Sequence, residues 1–257
     1  MGVKYQYDSQ GWANIQLDRA RVHNAFDDSL IADLITAIDK AHQDKARVIV
    51  LSSQGRHFSA GADLGWMKSM ADNTMTDNVN DSLQLAALME ALNCANMPVI
   101  ALVQGAAFGG AVGLVACSDV VIAAPDATFC LSEVKLGLIP AVISPYVIKA
   151  MGEGHARRYF LTAEKFDAIT AQRLGLVHVI SENLEHARDE MLSHLMNNSP
   201  KALSAAKRLI ADVAGQPVDE GLIADTARRI AEIRVSDEGQ EGLAAFFEKR
   251  PPSWIES

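Results

Sequence analysis

VIALVQGAAFGGAVG, Val99 to Gly113, changes character twice along its length. It opens on β-branched apolar residues after Pro98, turns at Gln104-Gly105, and passes through glycines into Ala111 to Cys117, where almost nothing is polar. The pattern predicts a buried strand, a turn and a buried helix. Gly109 and Gly110 fall where the helix should begin, so unpaired N–H groups can face a ligand and no side chain blocks its approach. An earlier companion, His57 to Asp63 (HFSAGAD), offers a second side-chain-poor turn at Ala60-Gly61-Ala62, after the apolar strand Val48 to Leu51. Two such turns can each aim one N–H at a single oxygen, the geometry that stabilises an enolate or oxyanion.

The chain has 257 residues, 49% of them hydrophobic and 21% charged, enough for one sizeable core with a smaller appendage. A formal charge of -9 argues against a duplex nucleic-acid binder or an anionic-membrane binder, both of which need a basic surface. Cys94, Cys117 and Cys130 are scattered without metal spacing, and an odd number makes no disulfide framework, so a reducing, cytoplasmic location is expected. No apolar run reaches membrane-spanning length, and Met1 to Gln10 lacks the pattern of a signal peptide. The chain contains no G-x-S-x-G, H-E-x-x-H, Walker A loop or paired C-x-x-C. Phe108 to Gly113 comes near a dinucleotide fingerprint but fails at the first glycine. The histidines show no ligand spacing, and His57 reads as a turn or packing residue.

Outward from the centre, Val3 to Tyr7 and Trp12 to Leu17 read as an N-terminal hairpin around Ser9-Gln10-Gly11. Asp27 or Asn24 can cap a helix whose apolar positions run from Leu30 to Ala41. Leu64 to Asn80 carries Trp66, Met67, Met70 and Met75 among polar residues, a composition that suits either a mobile lid or core filling. Strand alternation through Phe129, Leu131 and Glu133 puts the carboxylate on the inward face, where burial would raise its pKa and suit it to carry a proton. The competing reading leaves Glu133 at the strand's end, solvated and paired with Lys135. Ser144 can cap, and Pro145 start, a helix ending at Gly152, and helices dominate thereafter. The chain divides into residues 1–198, an α/β body, and residues 199–257, a helical tail that packs on its own body or on a neighbouring subunit.

These residues together resemble the enoyl-CoA hydratase/isomerase, or crotonase, family. Asn24-Ala-Phe, HFSAGAD, Pro98 to Gly110, Cys117-Ser-Asp119, Phe129 to Pro140, AQRLGLV at Ala171 to Val177 and FFEKR at Phe246 to Arg250 are similar to that family in order and spacing. The likeness covers nearly the whole chain. Within the family, LSEVKLGLIPAVISPYV with GGAVGLVAC and GADLGWM resembles bacterial methylglutaconyl-CoA hydratases of leucine breakdown and the related isohexenylglutaconyl-CoA hydratases.

The resemblance implies a spiral of ββα units with a C-terminal helical region that makes trimers, commonly paired into hexamers. It implies an acyl-CoA thioester as substrate, with CoA part of that substrate, no separate cofactor and no metal. The backbone N–H groups of Ala62 and Gly110 would form the oxyanion hole, and the Ala60, Gly61, Ala62, Asp63 and Leu64 backbone would line the adenine pocket. Arg19 and Arg21, and Lys249 from a neighbouring subunit, would approach CoA phosphates, and Trp66, Gly113, Val142, Ile143 and Tyr146 would wall the acyl pocket, with Arg157 or Arg158 as candidate partners for a distal carboxylate. Of the two glutamates that hold water in the family's hydratases, one maps onto Glu133 and the other onto Gly113. A single glutamate is also the arrangement of enoyl-CoA isomerases, so hydration and double-bond migration both remain open, with RNA binding as a third reading that the acidic balance disfavours.

Overall fold

The computed structural model describes residues 2–70 and 73–255. Strands β1 (Val3–Tyr7) and β2 (Trp12–Leu17) pair antiparallel, and β2 alternates so that Ala13, Ile15 and Leu17 enter the core. Helix α1 (Asp28–Gln43) follows; Asp27 caps it by accepting the Leu30 N–H. Asn24, the other candidate cap, is used elsewhere. Strand β3 (Val48–Ser53) is an apolar run buried along most of its length, as a strand covered on both faces must be. Helices α2 (Leu64–Met70) and α3 (Met75–Asn93) come next, α3 beginning in a reciprocal capping box between Thr74 and Asp77. Its inner residues Leu88, Met89 and Leu92 are buried in the core that α1 also fills.

Strand β4 (Val99–Val103) forms as its composition predicts. The chain then adds a short strand that the sequence reading took for part of a glycine-rich turn, β5 (Ala106–Phe108), before α4 (Gly110–Ala116). Strands β6 (Val120–Ala123) and β7 (Thr128–Cys130), helices α5 (Ser144–Met151) and α6 (Glu153–Thr162), strand β8 (Phe166–Asp167), helix α7 (Ala168–Arg173), strand β9 (Val179–Ile180) and helix α8 (Leu184–Met196) complete the body. The main sheet runs β1-β2-β3-β4-β6-β9, parallel from β2 onward, and a second, three-stranded sheet runs β5-β7-β8. The pairs β4 and β5, β6 and β7, and β8 and β9 therefore each give one strand to each sheet.

Helices α9 (Pro200–Val213), α10 (Glu220–Val235) and α11 (Asp237–Glu248) form the tail. Hydrogen bonds fasten it to the body. Lys207 Nζ reaches Asp119 and the Met97 carbonyl, and the Arg47 guanidinium donates to the carbonyls of Met196, Asn198 and Trp254.

Two local expectations are corrected. Strand β7 ends at Cys130, and Glu133 opens a 3-10 turn (Glu133–Leu136), so it is not placed by strand alternation. Ser144 does not cap α5: Ile143 occupies the cap position, and the Ser144 hydroxyl donates to the Ala141 carbonyl.

Candidate active site

The first turn is held from beneath by Asn24, which is fully buried. Its amide donates to the Gln54 and His57 carbonyls, both at 2.9 Å, and its oxygen accepts the Arg19 N–H at 2.8 Å. Phe26 then bridges the turn, donating its N–H to the Gly61 carbonyl and accepting the Asp63 N–H, each at 2.8 Å. The Ala60 N–H goes to the His23 carbonyl. Among the described residues the Ala62 N–H has no partner. Asp63 turns the chain into α2 by accepting the N–H groups of Gly65 and Trp66.

The second turn lies directly against the first. Ser59 donates its N–H to the Ala106 carbonyl and accepts that of Phe108, at 2.9 and 3.1 Å. Gly61, at φ +94°, approaches so closely that a β-carbon there would sit 3.1 Å from the Phe108 carbonyl oxygen. Gly109 has φ +54°, a conformation that favours glycine, and a β-carbon there would lie 3.3 Å from Glu133 Oε1. Its own N–H donates to the Cys130 carbonyl, while the Gly110 N–H, like that of Ala62, has no partner among the described residues.

Glu133 completes the cluster. Its Oε2 is buried without a hydrogen-bond partner, and Lys135 makes no ion pair with it. Burial pushes its pKa above the ordinary value of 4.5. The competing reading, a solvated carboxylate paired with Lys135, is thereby set aside.

A cavity of about 1030 Å³ opens on this cluster. Ala62, Gly110 and Glu133 share its wall with Trp66 and Met67 of α2 and with Leu136 to Ile143. Asn78, Asp81, Ser82 and Leu85 of α3 complete the lining; no site residue was expected from this helix, although their spacing of three to four puts them on one helical face. Phe26 and Met67 were likewise unforeseen.

Two expected wall positions, Tyr146 and Gly113, stand back from the cavity. Val142 and Ile143 line the cavity, but Tyr146 lies outside it, packed half-buried on the core. Gly113 does not reach the cavity either: a β-carbon there would stand 2.3 Å from Ile143 Cγ2 and 3.0 Å from Met89 Sδ. Arg19 is engaged with Asp27 and the Ala25 carbonyl, whereas Arg21 and Lys249 are exposed. Arg157 and Arg158 pair with Glu153 and Glu164 and do not line the cavity. Of the lid segment, residues 71 and 72 lie outside the described residues; its flanks form α2 and the start of α3 and cover one side of the cavity.

Two backbone donors without partners among the described residues, beside a carboxylate with one buried, unpartnered oxygen, are an arrangement that can move a proton next to a carbonyl whose oxygen takes up charge. The chain belongs to the enoyl-CoA hydratase/isomerase family, whose model matches residues 8–257. The fold is crotonase-like: a solved enoyl-CoA hydratase from Shewanella pealeana superimposes with a TM-score of 0.97 at 47% identity, covering 99% of this chain and 96% of that one. The 2,3-dehydroadipyl-CoA hydratase of Escherichia coli K12 is 32% identical over 246 residues, 93% of each chain. The mitochondrial Delta(3,5)-Delta(2,4)-dienoyl-CoA isomerase of Dictyostelium discoideum is 31% identical over 259 residues, 95% of this chain and 88% of that one.

Proposed function

We propose that the protein hydrates an α,β-unsaturated acyl-CoA thioester, with Glu133 as its single acid–base group. The observation that carries this is the unpaired Glu133 Oε2 on the same cavity wall as the free Ala62 and Gly110 N–H groups. In this reading the ionised carboxylate takes a proton from water as the water oxygen bonds to the β-carbon. The π electrons move onto the thioester oxygen, where the two N–H groups stabilise the enolate. Glu133 then returns its proton to the α-carbon, so one water is consumed and no other reactant is needed. Arg21 and Lys249 remain the surface cations for CoA phosphates.

For the acyl group we propose 3-methylglutaconyl-CoA, giving 3-hydroxy-3-methylglutaryl-CoA. The support is the resemblance of Leu131 to Val147 to hydratases of that ester, together with the similarity to a hydratase of another diacid thioester. Among the described lining residues there is no Lys, Arg or His, so no lining cation pairs with the distal carboxylate of this substrate. The unpaired cysteines fit a reducing compartment, and the cytoplasm is the proposed location. A homotrimer or a hexamer of paired trimers is the proposed assembly, supported by tail helices α9 and α10, which bury no residue within the chain.

The test is loss of enoyl-thioester absorbance when the protein meets 3-methylglutaconyl-CoA, with crotonyl-CoA in parallel. Glu133→Gln should lower kcat by about 10²- to 10⁴-fold while CoA-ester binding persists; undiminished turnover rejects the assignment. A second reading, double-bond migration, is favoured by the apolar packing of Ile143 and Met89 against Gly113, which leaves no room for a second carboxylate there. Under that reading neither ester loses absorbance, and a 3-enoyl-CoA gains conjugation instead.

A further inference from the structure

Helix α4 carries two glycines that face different partners. Gly110 offers its free N–H to the cavity, and Gly113, three residues on, returns to nearly the same side of the helix. If Gly110 holds the thioester oxygen, the side of α4 bearing Gly113 runs beneath the carbons that follow the carbonyl; this step rests on the oxyanion site proposed above. What stands at that position is Ile143. A β-carbon on Gly113 would be 2.3 Å from Ile143 Cγ2 and 2.9 Å from Ile143 Cβ, so the isoleucine is seated on bare backbone. Ile143 is 2% exposed, yet it contributes to the cavity wall with Val142 beside it. The cavity wall at Ile143 is therefore branched aliphatic, and the same cavity is lined by Gly110 and Glu133.

We propose that Ile143, seated on Gly113, determines specificity by meeting an alkyl substituent on the β-carbon of the acyl chain, so that β-branched thioesters bind in preference to straight ones. A β-methyl group buries itself against Ile143; a hydrogen in its place leaves that contact unmade. The absence of a side chain at residue 113 is what lets Ile143 come this far.

The experiment is calorimetric titration with two unreactive probes that differ by the β-methyl alone, isovaleryl-CoA and butyryl-CoA. The wild type should bind isovaleryl-CoA about tenfold more tightly. Ile143→Ala should abolish that ratio, and Ile143→Val, which keeps branching and disturbs the core least, should reduce it part of the way. Equal binding of the two esters by the wild type, or an undiminished ratio in a folded Ile143→Val and Ile143→Ala pair, overturns the proposal. Because the probes cannot react, the hydration reading fails separately. A wild type that prefers isovaleryl-CoA but hydrates neither enoyl ester retires hydration and leaves the role of Ile143 standing, and hydration without the preference does the reverse. Failure to bind either probe overturns the role of Ile143, while the absorbance assay alone decides hydration.

Discussion

Glu133 is a carboxylate with one oxygen, Oε2, buried without a hydrogen-bond partner among the described residues. Burial raises its pKa in the folded protein above the ordinary 4.5, so the folded chain holds that proton more tightly than the unfolded one. Its contribution is therefore most favourable below the ordinary carboxylate value and is lost as pH rises through the raised one. Glu133→Gln, which does not titrate, should gain stability relative to wild type over that interval. Denaturant melts at a series of pH values check this, and parallel curves for the two proteins would contradict it. The sequence reading reached the right side of the chain for Glu133 by the wrong route, because strand alternation ends at Cys130 and a 3-10 turn does the aiming. Two other residues were misread as open wall. Gly113 is roofed by Ile143, and Tyr146 packs against the core, neither of which residue type or spacing discloses.

The elements that were legible are those in which composition and burial agree. Val48 to Ser53 and Val99 to Val103 are β-branched and buried on both faces, and α1 keeps its apolar period beneath a capping Asp27. Strand β5 was not legible: Ala106 to Phe108 has little β propensity and forms because β7 and the Ser59 backbone supply its partners. The site depends on this strand, which delivers Gly109 and Gly110. It is pinned at its start by His57, whose Nδ1 accepts the Ala106 N–H at 3.0 Å. Burial first, then the charges of His23 and Arg56, hold the His57 pKa below the ordinary 6.5. The folded imidazole thus resists a proton that the unfolded one accepts, and the stability it contributes is present above 6.5 and lost as pH falls through the lowered value. His57→Asn removes the titration, so thermal unfolding between about pH 7 and about pH 5 should depend less on pH than in the wild type. Equal pH dependence would show that His57 does not control that interval.

At the scale of the molecule, the tail is the part whose sequence makes least sense in a single chain. Phe246 and Phe247 are 77% and 76% exposed, and Ile210, Ile223, Ile230 and Val235 are also largely uncovered. Full burial of one phenylalanine is worth about 1.5–3 kcal/mol, so covering this surface against another chain, as the proposed assembly does, is favourable. Sedimentation should find a trimer or hexamer for the wild type and smaller species for Phe246→Asp with Phe247→Asp; a wild-type monomer would contradict the proposed assembly. Amphipathic spacing made these helices easy to find, but which molecule they face is a property of packing between chains and is not encoded in their period. The strand order has a different consequence, one of timing. The two turns of the site are joined by the hydrogen bonds of Ser59 with Ala106 and Phe108, of Phe58 with Gln104 and of His57 with Ala106, and those rest on β3 and β4, which a long helical excursion separates. Such distant pairings must wait for costly loop closures, so a nascent or refolding chain brings its two turns together late, when both halves of the parallel sheet have met.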